Sequence, residues 1–398
     1  MSTQIRLIQP LDILLLRGNK SFGDTGEHGA SSMPPSPSVL AGALRSFWLA
    51  ELQSTPPQVG KKQFRIEEYA PRNKPFPKPE AFEEPVRSQL GTPTEPRGFR
   101  LAHSGLAHRV NGHVERVFPI PTDLVIQKDT KDAKDPTIYE LTPTRMPEGL
   151  LSQLAEGQQV PMLQAPAGKP ETQYWLDEAG YHLYLNGKSK EIGIKNLVKV
   201  SELWKKDYRL GIALDGDKRT AADGQLYTTE AIALCEGVQL VAEIQGAPDF
   251  PAKGNLRLGG DGRGAGFKAD TLKPLPSIQA KKGKVKLVLT SPAIFTNGWK
   301  LPSQDEQGRI QFAGGSARVA TASVPRHQVV SGWNLAEWKP KPAERVVPMS
   351  SVYWLEDVQC DADTSLQDVL QELLLSDIDP QRRAEGYNAC VLAVWSSD

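Results

Sequence analysis

Ile5-Arg6-Leu7-Ile8-Gln9-Pro10-Leu11-Asp12-Ile13-Leu14 and Val285-Lys286-Leu287-Val288-Leu289-Thr290-Ser291-Pro292-Ala293-Ile294-Phe295 share one design. Each begins apolar-basic-apolar-apolar and carries a proline before a second apolar half. Each reads as a strand kinked at its proline, and together they read as two copies of one unit. A helix pattern occurs once in each half. Leu40, Leu44, Phe47 and Trp48 form an apolar stripe after Ser36-Pro37, a plausible N-cap and first turn. Leu366, Val369, Leu370, Leu373 and Leu374 form another after the capping-box pair Thr364 and Gln367. A strand, a good helix and further strands in each half predict an α+β chain of two ferredoxin-like (RRM-like) modules with long insertions. The boundary is expected at 246/247, giving units 1–246 and 247–398, with an insertion over about 54–200 whose first part, to residue 100, is rich in proline.

Other local patterns fill in the chain. Tyr174-Trp175-Leu176 and Tyr181-His182-Leu183-Tyr184-Leu185 read as aromatic strands around a turn. A short helix is expected near 149–154. Tyr208 to Leu214 reads as a strand ending in a basic tip, Asp215-Gly216-Asp217-Lys218-Arg219. Leu226–Cys235 and Val238–Ile244 read as a hairpin across Glu236-Gly237, and Asn388 to Trp395 as a final strand.

The chain has 398 residues and no formal net charge, but the charge is segregated. Residues 251–300 hold ten Lys/Arg against two acids, a net of +8, and residues 351–398 hold ten acids against two arginines, a net of −8. This asymmetry implies a polyanion-binding surface and a separate acidic face. The three cysteines, Cys235, Cys360 and Cys390, are far apart and form no C-x-x-C pair. Neither a zinc site nor a disulfide framework follows, and a reducing cytoplasm is expected. No apolar run approaches a membrane span. His103, His108 and His113, five apart, read as unrelated loop histidines rather than a metal site.

Within the basic segment lies Arg257-Leu258-Gly259-Gly260-Asp261-Gly262-Arg263-Gly264-Ala265-Gly266-Phe267. It fails the dinucleotide fingerprint, because Ala265 stands where a third glycine belongs and no helix pattern follows. It also fails the G-x-x-x-x-G-K-[ST] pattern, and no cofactor is expected. What remains is a loop whose amides and arginines can lie along a polyphosphate such as RNA.

With these residues in view, the chain resembles the RAMP superfamily of CRISPR effector subunits, and within it the third-subunit family of the type III-B (Cmr) complex. The resemblance is carried by 10–22 (Pro-Leu-Asp-Ile-Leu-Leu-Leu-Arg-Gly-Asn-Lys-Ser-Phe), by 34–45 (Pro-Pro-Ser-Pro-Ser-Val-Leu-Ala-Gly-Ala-Leu-Arg) and by Gly224-Gln225-Leu226-Tyr227. It is carried further by Arg257 to Arg263 and by Glu385-Gly386-Tyr387-Asn388, where Asn388 replaces the family's usual second glycine. Residues 54–200 carry none of it. The resemblance implies a non-catalytic subunit that binds the crRNA 5′ handle at one end of the complex, beside the large polymerase-like subunit and a backbone RAMP subunit, meeting target RNA only indirectly. Carried over by position, the RNA contacts are Arg17, Lys20, Arg45 and the 257–266 loop with Gly259, Gly260, Gly262, Arg263 and Gly264. Charge adds Lys218 and Arg219. The alternative is a metal-independent RAMP endoribonuclease that uses His28, in the loop before the first helix, as its general base or acid.

Overall fold

The computed structural model describes residues 3–16, 28–29, 33–128, 135–146, 159–214, 220–334 and 337–396; at 28–29, 213–214 and 221–227 the description is of backbone alone. The described regular structure is mostly antiparallel sheet, with few helices. The first sheet runs in the order Lys253–Arg257, Gly264–Asp270, Gln4–Pro10, Val238–Gln245, Arg100–Val110, His113–Pro119, Tyr174–Asp177, Leu197–Lys199. The second runs Arg309–Phe312, Gly315–Ser323, Val352–Cys360, Val285–Leu289, Cys390–Ala393. In both sheets the opening strand lies between two later ones and pairs antiparallel with each. Gln4–Pro10 and Val285–Leu289, the two stretches matched in sequence, therefore hold the same place in their sheets.

Helix α1 (Pro37–Ser54) buries Leu40, Leu44, Phe47 and Trp48 on the first sheet, as their spacing predicts. Its cap differs from expectation: Ser36 makes no capping bond, because its hydroxyl is engaged elsewhere. Between Tyr174–Asp177 and the second sheet lies α2 (Glu178–Leu185), where strand was expected. Asp177 accepts the Gly180 amide at 2.6 Å as an N-cap, and Tyr181, Tyr184 and Leu185 recur at helical spacing and are buried. Another helix, α3 (Leu366–Ser376), covers the second sheet with Leu366, Leu370, Leu373 and Leu374. Its cap is Ser365, whose hydroxyl accepts from the Asp368 amide, while Gln367 instead ties the helix to the Cys390 carbonyl and the Leu392 amide. A short helix, α4 (Pro380–Glu385), follows. The helix expected near 149–154 falls outside the described residues.

The expected hairpin across Glu236-Gly237 is also corrected. Ala221–Leu234 pairs with Trp204–Leu214 as a separate long ribbon, and Val238–Gln245 enters the first sheet between Gln4–Pro10 and Arg100–Val110. The boundary moves too. Lys253–Arg257 and Gly264–Asp270 pair onto the first sheet, so the chain leaves it between Asp270 and Val285 rather than at 246/247. His103, His108 and His113 lie on strands, not in a loop: Arg100–Val110 and His113–Pro119 form a hairpin about Asn111-Gly112, both at positive φ. That dipeptide is a strong short-range hairpin signal. Among the described residues no group of ligands is arranged to hold a metal ion, and no helix is long and apolar enough to cross a membrane.

The two sheets meet around α2. Tyr181 stacks on Phe118 at 3.8 Å between ring centroids, and both belong to a cluster with Val288, Val352 and Trp354 of the second sheet. Lys286 projects into this cluster and is wholly buried. Its Nζ lies 2.8 Å from Asp123 and 2.7 Å from Glu140, and 4.2 Å from the centre of the Tyr184 ring. The Tyr184 hydroxyl donates to Asp123 at 2.8 Å. Burial alone would lower the Lys286 pKa, but the two carboxylates outweigh it and raise it.

Lys286→Met removes one partner and leaves Asp123 uncompensated in the interior, which costs about 3–5 kcal/mol. Urea unfolding of this variant checks the loss. The added change Asp123→Asn is expected to recover part of it, because the two sites are coupled.

Candidate nucleic-acid interface

The first strand does not stop at the sheet edge. Its continuation is clamped on both sides as far as Leu15. Leu14 exchanges hydrogen bonds with Ile232 of the long ribbon at 2.7 and 2.8 Å. On the other side the Leu11 amide donates to the Gly264 carbonyl at 3.0 Å, and the Leu15 carbonyl accepts from the Gly260 amide at 2.7 Å. The short strand His28–Gly29 then pairs in parallel with Thr228–Thr229 of the same ribbon. Three stretches singled out in the sequence therefore converge: the 10–16 run, the glycine-rich stretch and the ribbon that carries the 215–219 tip. Arg17, Lys20, Lys218 and Arg219 themselves lie outside the described residues, as does the side chain of His28.

The glycine-rich stretch is a hairpin, not an open anion cradle. Its arms pair from Lys253↔Lys268 to Arg257↔Gly264. The Leu258 and Arg263 amides donate to the Arg263 and Gly260 carbonyls, so these and the Gly260 amide are already engaged. Gly259 has φ +78°, and a Cβ there would come within 2.7 Å of the Leu15 oxygen. Only glycine lets the turn close on the first strand in this way. Gly262 also has positive φ but faces open space.

The arginines divide. Arg263 forms an ion pair with Asp12, holding the hairpin to the strand. Arg257 is exposed and has no ion-pair partner among the described residues. Period-two alternation puts it on one face with Asn255 and Lys253, both exposed. Lys268, also exposed, stands directly opposite Lys253. Facing like charges repel, and an anion laid across them relieves that repulsion. Arg45 is elsewhere and turned inward. It donates to the Leu90 carbonyl at 2.9 Å, and its guanidinium lies over the Phe99 ring at 5.6 Å. This side chain is committed to the protein's own packing.

Sequence reasoning missed a second polar cluster, which joins two of the motif stretches. The Ser36 hydroxyl lies 2.8 Å from the Tyr387 hydroxyl, and Ser38 donates to Glu385 at 2.6 Å. Arg382, almost fully buried, bonds Ser38, Glu385 and Glu344, and Lys341 pairs with Glu385. The start of α1 is thus locked to α4 near the other end of the chain. Asn388, which stands where the family pattern has glycine, keeps φ at +60°, a conformation asparagine tolerates. Its buried amide bonds Ile294 and Leu374. The signal available in sequence was the pairing of hydroxyl-rich 36–38 with the charged 382–387 run, but nothing in sequence put them together.

A family model described as CRISPR-associated protein (Cas_Cmr3) matches residues 6–395. Among solved structures, a chain in the cryo-EM structure of the Type III-B Cmr-beta bound to cognate target RNA and AMPPnP is 15% identical, with 97% of this chain and 96% of that one covered and a TM-score of 0.50. A chain of the Csm3-Csm4 subcomplex of the type III-A CRISPR-Cas interference complex is 13% identical, with 90% and 94% covered and a TM-score of 0.35. At such identity the first likeness speaks to fold alone. No curated protein matches the sequence.

The α1–α4 lock carries a pH signature. Burial would raise the Glu385 pKa, but Lys341, Ser38 and Arg382 outweigh it and hold the carboxyl below the ordinary glutamate value of 4.5. A depressed carboxylate supplies its full stability above that value and loses it as pH falls through the folded-state pKa. Hydrogen-exchange protection in 380–388, taken relative to the intrinsic rate at each pH, is expected to fall as acid titrates Glu385. Glu385→Gln removes that acid dependence; an unchanged profile in the variant contradicts the assignment.

Proposed function

The chain belongs to the Cas_Cmr3 family of CRISPR-associated proteins, and on that footing we propose that it is a non-catalytic RNA-binding subunit of a type III-B effector complex. In this reading it caps the 5′ handle end of the crRNA and docks the large polymerase-like subunit and a backbone RAMP subunit, in the cytoplasm. The two antiparallel sheets are two ferredoxin-like units. In each, the strand order last-first-third-second survives: Gly264–Asp270, Gln4–Pro10, Val238–Gln245, Arg100–Val110 in one, and Cys390–Ala393, Val285–Leu289, Val352–Cys360, Gly315–Ser323 in the other. The first keeps its first helix, α1, and the second keeps its second helix, α3.

One observation carries the RNA reading: Arg257, without an ion-pair partner among the described residues, lies on one strand face with Lys253, which stands opposite Lys268, on a hairpin clamped to the end of the first strand. Phosphate contacts from these cations supply affinity and orientation, and a few base contacts at the adjoining loop and ribbon tip supply preference for the handle. Arg17, Lys20, Lys218 and Arg219 are further contacts in this reading, brought there by the segments that flank them. Arg263 acts through Asp12, by fixing the hairpin rather than by meeting a phosphate.

Each phosphate contact releases counterions, so binding weakens steeply with salt. Arg257→Ala is expected to weaken binding of a repeat-derived 5′ handle RNA and to lower the slope of log affinity against log salt by about 1. Filter binding from low to high salt measures both, with the same RNA run on a denaturing gel for intact length. Unchanged affinity and slope contradict the hairpin's role. Cleavage lost on His28→Ala contradicts the non-catalytic reading.

A further inference from the structure

A cavity of about 450 Å³ lies beside the second sheet, built from other elements than the hairpin and ribbon described above. One wall is the stretch from Val319 to Ala322 on Gly315–Ser323. The backbone there is already engaged. The Val319 amide donates to the Gly308 carbonyl at 2.7 Å, and the Ser323 carbonyl accepts from the Thr122 hydroxyl at 2.6 Å. The Gln159–Leu163 strand packs against Gly315–Ser323 without joining its sheet, and its Gln159 and Pro161 form a second wall. What the cavity offers a ligand is therefore side chains, not a free strand edge.

Most of the lining is apolar, including Val324, Val346 and Trp299, which is 42% exposed. Set into it is Gln304, itself only 9% exposed. The Gln304 side-chain oxygen accepts the Leu301 amide at 3.1 Å. Its Nε2, with no hydrogen-bond partner among the described residues, is the atom left for the cavity. At the mouth stand Arg345 and His327, both exposed. Arg345 has no ion-pair partner among the described residues. A purely apolar ligand would leave the Gln304 donor buried and unpaired, which is costly, and a bare anion would leave the apolar walls unfilled. The lining suits a ligand with a flat apolar body, an acceptor at its inner edge and an anionic group at its outer end. A cavity of this size, mostly apolar with a few placed polar groups, is of the kind that holds a small molecule.

We propose that this cavity binds a nucleoside phosphate, with the base against Trp299, a base acceptor on Gln304 Nε2 and the phosphate on Arg345. The same chemistry is presented by a free nucleotide and by one unstacked nucleotide of a single strand. The site shares no residue with the hairpin and ribbon, and it holds whether or not these bind the handle.

The test is isothermal titration calorimetry of the full chain with AMP, UMP and inorganic phosphate. Saturable binding of a nucleotide is expected, with Kd below about 1 mM. Trp299→Ala is expected to weaken it about tenfold through lost stacking. Gln304→Glu, which keeps the oxygen that accepts Leu301 but removes the donor, and Arg345→Ala are each expected to weaken it to a similar degree, about tenfold. A variant that fails to fold by circular dichroism is set aside and the others decide. No saturation by either nucleotide overturns the proposal, as does affinity unmoved by the folded variants. Equal binding of inorganic phosphate also overturns it and leaves an adventitious anion site only. Competition with hexauridylate and hexaadenylate separates the two sources. Displacement that persists in Arg257→Ala assigns the cavity to a nucleotide within a strand, and nucleotide binding that neither oligomer displaces assigns it to a free nucleotide.

Discussion

The ion pair between Lys286 and Asp123 is wholly buried, and much of the structure follows from that. Neither side chain is exposed, so the Asp123 carboxylate is left uncompensated if Lys286 is lost. Asp123 precedes the Leu124–Gln127 strand, Glu140 lies on Thr137–Arg145, Tyr184 on α2 and Lys286 on the Val285–Leu289 strand of the second sheet. Satisfying one ammonium therefore fixes four elements that are distant in sequence. A comparable arrangement closes the other side of α2. Arg116 reaches Glu178 at 3.2 Å and Glu243 at 2.6 Å, and donates to the Lys273 carbonyl at 2.7 Å. Between them, these two networks hold the inserted helix and both sheets as one body.

This constraint bears on the interface. With the sheets joined and α1 locked to α4, the end of the first strand is held by hydrogen bonds on both sides. The glycine-rich hairpin and the long ribbon hang from its two sides, at Leu15 and Leu14. A flexible loop would meet an RNA backbone only by giving up conformational freedom. A hairpin held by Gly259, Asp12 and Arg263 presents Arg257 already in place.

Much of this was legible in sequence, for identifiable reasons. The shared design of Ile5–Leu14 and Val285–Phe295 located an interior strand of each sheet, because a strand buried on both faces reads as a nearly continuous apolar run. The stripes of α1 and α3 were read correctly because each faces one sheet. What failed was pairing. The 226–234 and 238–244 strands are real, but the choice of partner is set by long-range packing, which a turn dipeptide does not record. Asn111-Gly112 did record its hairpin and went unread. Tyr181 to Leu185 looked like strand because aromatics favour strands, yet the Asp177 cap and the spacing of Tyr181, Tyr184 and Leu185 prevailed. At the candidate site, the basic glycine-rich run was visible, but the division between Arg257 and Arg263 was not, since it depends on where Asp12 falls. Arg45 lay near a helix middle, and only the fold turned it toward Leu90. Arg6 and Lys286, the basic positions of the repeated pattern, both proved buried. A lone cation inside an apolar strand was the available signal for the networks that organise the chain.

The most direct test of the account is photo-crosslinking of a 4-thiouridine-substituted 5′ handle RNA to the protein, with crosslinked peptides located by mass spectrometry. The account predicts crosslinks in the segments that converge on the first strand's end: 10–20, the 204–234 ribbon and the 253–268 hairpin. Crosslinks confined to other surfaces, with none in these three segments, would contradict it.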